Sequence, residues 1–283
     1  MSGLPMHFLA IGGRLLRLGL CIGMTSLVVL LARMGPSQAA ELAEIVERGY
    51  LVVGVKDNVR PLGFRDEAGQ LQGLEIDLAR RLGEQLLGNP EAVVLQPLSN
   101  RDRLLAVVED RVDLAIARVT ATRPRSHQVQ FSDAYYLDGT ALITLDPFVE
   151  RLGDIRQQTI AVLAGSSTIA VVRHRLPEAR LIGVASYQEA RSRLESGDAV
   201  AFAADVSVLS GWVQEYPEYH LIPSLLSTEP LCVVMPRGLQ YDALYRQVSD
   251  NIRRWQREGW LEQQALRWGL PWANRGWKAK IKR

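Results

Sequence analysis

"VTATRPRSHQVQFSDAYY", Val119 to Tyr136, follows the short apolar run Leu114–Ala117. An apolar run of that length, bounded by turn residues, reads as a buried strand. The Thr-Ala-Thr-Arg-Pro cluster after it reads as a turn, and Phe131-Ser132-Asp133 with the Tyr135/Tyr136 pair reads as an aromatic turn. Arg125 close to a strand end has two readings. It is a solvated loop charge, or a planar guanidinium fixed to fork a carboxylate.

Outward from this stretch the chain alternates strand and helix. Tyr50–Val55 is an apolar strand, and Asp57, Pro61, Gly63 and Gly69 mark a turn-rich stretch after it. "EIDLARRLGEQLLG" follows as an amphipathic helix with Ile76, Ala79, Leu82 and Leu86 on one side. "VVLQP", "DLAIA", "TIAVLAG", "LIGV", "AVAFAA" and "LCVVM" read as strands. Helices are expected over Arg103–Val108, Ile169–Arg175, "YQEARSRLESG", "DVSVLSGWVQEY" and Asp242–Glu258. The last carries Leu244, Val248, Ile252 and Trp255 as one stripe. Asp205 stands where it can cap the helix after "AVAFAA". Alternation of this kind predicts an α/β protein with parallel sheets and helices on both faces. The strands fall into two groups, near residues 50–145 and 155–225, which predicts two lobes.

Charge excludes one class of function. The net charge is +2, but residues 1–40 hold Arg14, Arg17 and Arg33 with no acid, and residues 275–283 add five basic residues with no acid. Without residues 1–40, 30 basic residues face 31 acidic ones. The body therefore lacks the basic excess of a polyanion binder, and no nucleic-acid partner is expected. Arg14 and Arg17 precede the 15-residue apolar run Leu18–Ala32, and "SQAA" follows. This reads as a signal peptide over residues 1–40, cut near Ala39 or Ala40; an uncleaved anchor is the alternative. Cys232 would be the one cysteine of the mature part, so neither an internal disulfide nor a thiolate metal site is expected. No nucleophile elbow, phosphate-binding loop or metalloprotease motif occurs, and no cofactor is implied.

The ordered pieces carry a resemblance. "YLVVGVKDNVRPLGF", "LQGLEIDLARRL", "ARVTATRPRSHQVQFSDAYY", "TIAVLAGSST", "EPLCVVMPRG" and "LRWGL" together resemble the family 3 extracellular solute-binding proteins, the amino-acid receptors of ABC importers. The resemblance spans about residues 41–270. It implies the type II periplasmic-binding-protein fold: two parallel-sheet lobes joined by two crossing strands, with the ligand clamped between. Lobe 1 would comprise residues 41–140 and 232–270, lobe 2 residues 141–231, and residues 271–283 a basic tail. The chain would cross near Thr140–Thr144 and again near Thr228–Leu231. It further implies a monomeric periplasmic receptor that hands an amino acid to an ABC permease in the inner membrane. Two other functions share the fold, an enzyme similar to cyclohexadienyl dehydratase and a ligand-sensing module.

By the same resemblance, Arg125 forks the ligand's α-carboxylate, with Thr120 and the backbone near Ser166 and Ser167 assisting. Asp205 takes the α-ammonium. "LESGDAVAF" (Leu194–Phe202) looks most like the glutamate/aspartate receptors, which receive a side-chain carboxylate on basic residues. Lys56 and Arg103 stand at the matching positions, and Arg118 adds a third cation. The chain also departs from the family. It lacks an aromatic near Val59, carries Arg118 where glycine or serine is usual, and has Tyr187 where the glutamate/aspartate receptors have histidine. An acidic amino acid, glutamate or aspartate, is the expected ligand.

Overall fold

The computed structural model describes residues 41–272. The signal-peptide reading and most of the basic tail lie outside them. Among the described residues no helix is long and apolar enough to cross a membrane. The chain opens with α1 (Leu42–Arg48), β1 (Leu51–Val55), β2 (Asn58–Val59), β3 (Gly63–Arg65), β4 (Leu71–Gln72), α2 (Leu74–Leu87), β5 (Val93–Pro97), α3 (Asp102–Val108) and β6 (Leu114–Ile116). A 3-10 turn over Arg125–His127 leads into β7 (Gln130–Asp138) and β8 (Thr140–Thr144). Then come β9 (Thr159–Leu163), α4 (Thr168–Arg175), β10 (Arg180–Val184), α5 (Tyr187–Glu195), β11 (Ala201–Asp205), α6 (Val206–Glu215) and β12 (His220–Ile222). The last described elements are β13 (Glu229–Met235), α7 (Asp242–Arg257) and α8 (Trp260–Arg267).

Two five-stranded sheets result, ordered β5-β1-β6-β13-β7 and β10-β9-β11-β8-β12. Each combines the expected parallel pairing with antiparallel strands. β1 pairs in parallel with β5 and β6, while β13 runs antiparallel to β6 and β7. β9 pairs in parallel with β10 and β11, while β8 runs antiparallel to β11 and β12. The antiparallel strands are those next to the two crossings, where the chain enters and leaves each lobe. β2, β3 and β4 form a small third sheet inside the turn-rich stretch.

The apolar runs are continuous because both faces of each sheet are covered. In β11, Ala201 and Ala203 pack with Val172 of α4 on one face, and Phe202 and Ala204 pack with Ala190 of α5 and Leu209 of α6 on the other. In the first sheet, Ile116 packs with Leu78 and Leu82 of α2 and Ala115 with Ala106 of α3. The expected α7 stripe, Leu244, Val248, Ile252 and Trp255, is fully buried.

The opening stretch corrects one reading. Gln130–Asp138, read as an aromatic turn, is the nine-residue strand β7. Ser132, Tyr135, Tyr136 and Asp138 are buried while Asp133 and Leu137 are exposed. This pattern is broken by register shifts against β13 between Leu231 and Val234. A bulged strand with polar residues on its buried side loses the clean period of two that marks a strand in sequence.

The chain leaves the first sheet at Asp138 and enters the second at Thr140, so the first crossing turns on Gly139. The return falls between Ile222 and Glu229, and Glu229–Leu231 already pair with β7. At the crossing the two passing segments touch. A Cβ on Gly139 would stand 2.1 Å from the Ser227 carbonyl oxygen, and the Thr140 N–H donates to Ser227 Oγ at 2.9 Å. Gly139→Ala must therefore separate the two segments. We expect a loss of about 1–3 kcal/mol, the cost of overpacking a tight contact, read as a lowered midpoint in thermal unfolding.

Candidate functional site

A cleft of about 740 Å³ opens between the two sheets, within the size range of small-molecule sites. Lys56, Asn58, Val59, Arg60, Ser99, Asn100 and Arg118 line it from the first lobe. Leu163, Tyr187, Gln188 and Arg191 face them, with Val208, Gly211, Trp212, Glu215 and Tyr216 of α6. α6 comes close to the first lobe. A Cβ on Gly211 would sit 2.4 Å from the Arg60 carbonyl oxygen, and Gln214 Nε2 donates to the Trp268 carbonyl at 2.8 Å.

Two of the eight expected residues, Lys56 and Arg118, line this cleft. Lys56 follows β1 and is almost fully buried, with Nζ donating to the Leu98 carbonyl at 2.7 Å. Burial lowers its pKa, and the Arg103 guanidinium lowers it further. Arg118 follows β6 with a left-handed backbone, φ 50°, a region L-residues other than Asn and Asp seldom occupy. Three interactions hold it there. Its N–H donates to Glu75 Oε1 at 2.6 Å, its carbonyl accepts from Arg103 Nη1, and its guanidinium donates to Asp205 Oδ2 at 2.8 Å.

Arg103 and Asp205 have partners that the sequence does not show. Arg103 Nη1 also donates to the Ala117 carbonyl at 2.9 Å, so the side chain closes the end of β6. Burial, then Arg118 and Arg125, lower its pKa. Asp205 sits at the N-cap of α6 yet makes no cap hydrogen bond. Asp138 caps the helix in its place. Its carboxylate accepts from Ser207 N at 3.1 Å and Ser207 Oγ at 2.6 Å. With the cap supplied from β7, the Asp205 side chain is left to reach across the cleft to Arg118. Burial, then Asp205, push Asp138 up to about 6.

Arg125, Thr120, Ser166 and Ser167 are not among the residues that line the cleft. Arg125, the first residue of the 3-10 turn, donates from Nη1 back to the Thr120 carbonyl at 2.8 Å. Thr120 bridges to Leu231 of β13. Ser167 is the N-cap residue of α4, and the buried Ser166 Oγ beside it has no hydrogen-bond partner among the described residues.

Several site residues carry no motif. Val59 and Tyr187 line the cleft from opposite lobes. Tyr187 packs edge-on against Phe202 and Trp212, with centroids 5.7 and 6.4 Å apart. Arg60 lies over the Phe64 ring at 3.9 Å and so holds its charge at the rim. Glu75 is fully buried behind Arg118, accepts from Tyr135 Oη at 2.5 Å, and has no partner for Oε2 among the described residues. Its position in the helix "LEIDLARRL" looks like an ordinary first-turn acid, and only the fold puts it inside. Among the described residues no cluster of His, Cys, Asp or Glu fits a metal ion.

The model of the bacterial extracellular solute-binding proteins, family 3, matches residues 51–271. The chain belongs to this family. It is 29% identical over 192 residues to a glutamine-binding protein of Geobacillus stearothermophilus, covering 67% of this chain and 73% of the relative. A glutamate/aspartate import solute-binding protein of Salmonella typhimurium is 26% identical over 186 residues, covering 62% and 61%. An ancestral cationic amino-acid solute-binding protein of known structure superposes with a TM-score of 0.68 at 24% identity, covering 81% of this chain and 99% of that one. That last likeness shows the type II two-lobed fold alone.

The buried Glu75 gives the family member a pH signature. Burial raises its pKa from 4.5 to about 7 against the pull of Tyr135 and the Arg118 N–H. The folded state thus binds this proton more tightly than the unfolded chain, and its contribution to stability is lost as pH rises through that window. We expect the wild type to lose about 3 kcal/mol relative to Glu75→Gln between pH 4.5 and 8, measured by urea unfolding across pH.

Proposed function

We propose that this protein is a periplasmic receptor for an acidic amino acid, glutamate or aspartate, which it delivers to an ABC permease in the inner membrane. The observation that carries the reading is the cationic wall of the cleft. Lys56 and Arg118 line it, and Arg103 and Arg125 lie close enough to act electrostatically on their neighbours. A dicarboxylate in a closing cleft needs such partners, since an unpaired buried charge costs several kcal/mol.

In this reading Arg125 forks the α-carboxylate, with Thr120 and the backbone at Ser166 and Ser167 beside it. Asp205 receives the α-ammonium, and Arg118 with Lys56 receives the side-chain carboxylate. Arg103 acts from behind, by holding the Arg118 backbone. Tyr187 and Trp212 supply the apolar wall against the ligand's methylenes. The protein acts as a monomer, by binding and release, with no cofactor. Glutamine is the second reading, favoured by the glutamine-binding relative.

Competition against labelled glutamate tests the ligand. Aspartate is expected to displace it at the lowest concentration, then glutamine, with leucine and arginine last. Arg125→Lys removes the planar fork while keeping the charge. It is expected to weaken glutamate binding by about 2–4 kcal/mol, the scale of disturbing a buried charge pair, in calorimetric titration of the folded variant.

A further inference from the structure

The Arg118–Asp205 ion pair spans the cleft. Arg118 belongs to the loop after β6 in the first lobe, and Asp205 closes β11 in the second. The pair is short, 2.8 Å, and largely shielded, with side-chain exposures of 19% and 32%. Arg118 Nε is buried without a hydrogen-bond partner among the described residues. The charges around the pair are Lys56, Arg103 and Glu75 on the Arg118 side and Asp138 and Glu229 on the Asp205 side. In the reading proposed above, the guanidinium occupies the carboxylate that the ligand's ammonium takes.

We infer that Arg118 is a specificity-determining residue: a ligand enters by exchanging into the Arg118–Asp205 pair, and only one that brings both a cation for Asp205 and a second anion for Arg118 does so without leaving a shielded charge unpaired. This deepens the acidic amino-acid reading and rests on it. Glutamate completes the exchange, with its ammonium on Asp205 and its side-chain carboxylate on Arg118. Glutamine supplies the ammonium alone and strands the guanidinium. Arginine adds a further cation to a wall that already holds Lys56 and Arg103. Glutarate brings two carboxylates but nothing to replace the guanidinium at Asp205. Discrimination by unpaired charges is a general route to specificity, because a mismatched partner is penalised more than a matched one is rewarded. The pair thus acts as a filter against neutral and basic amino acids, set by the Arg118 side chain.

The test is calorimetric titration of the full mature chain with glutamate, glutamine and glutarate, in the wild type and in Arg118→Gly. Glycine accepts the left-handed backbone at this position without strain. Arg118→Asn, which also tolerates that region, is measured in parallel in case glycine loosens the loop. The wild type is expected to bind glutamate at least tenfold more tightly than glutamine or glutarate. In both variants glutamine is expected to gain affinity while glutamate loses it, so the glutamate-to-glutamine ratio falls tenfold or more. A ratio unchanged in the variants, a parallel loss for both ligands, or glutarate equal to glutamate in the wild type overturns the exchange and leaves the receptor reading standing. Binding of no amino acid by any of the three proteins overturns the receptor reading itself, and the exchange with it.

Discussion

One carboxylate at the crossing organises the rest of the site. Asp138 ends β7 inside the first lobe's sheet and is fully buried, yet it accepts from the first turn of α6 in the second lobe. It also accepts from the Gly139 N–H at 3.0 Å, so the turn into the second lobe and the start of α6 share one acceptor. A helix leaves its first N–H groups without partners, and an acid beside them satisfies both hydrogen bonding and the helix dipole. Here that acid comes from 69 residues upstream. The residue in the ordinary capping position, Asp205, is thereby freed to face the cleft, and α6 is fixed relative to the strand that enters it.

The first lobe shows the complementary arrangement. The Arg118 backbone is in a region that costs an L-residue of order 1 kcal/mol or more. Glu75 accepts its N–H and Arg103 donates to its carbonyl, so the strained turn is gripped on both sides. Glu75 is itself held by Tyr135 of β7, the strand that ends at Asp138. Both partners of the cross-cleft ion pair are thus positioned from a single strand, one by Tyr135 through Glu75 and the other by Asp138 through α6.

Sequence periodicity revealed the framework because the framework is apolar. Continuous runs such as Ala201–Ala204 and the Leu244-to-Trp255 stripe owe their pattern to burial on fixed faces, and burial is local information. The strand β7 escaped because its buried side carries Ser132 and Asp138 and its ladder is bulged. The strands of β2, β3 and β4, two or three residues each, are too short to show a period. Lys56 and Arg118, which line the cleft, were singled out through the resemblance to the family, as cations near the ends of β1 and β6. Arg103 and Asp205 were legible as polar residues near the site but not in their partners, since those partners lie far away in sequence. Glu75 needed the packed lobes before it could be seen behind Arg118, whereas the resemblance had already marked Tyr187.

The approach of α6 to Arg60 has a consequence for release as well as capture. Where Gly211 meets the Arg60 carbonyl, the two lobes touch through main chain with no side chain between them. Side chains yield by changing rotamer, whereas a peptide group against a helix backbone does not. The contact therefore limits how near α6 and the Arg60 main chain come, which bounds the width of the cleft at this edge. A ligand too long for that width holds the helix off its stop, leaves the contact unmade, and leaves sooner.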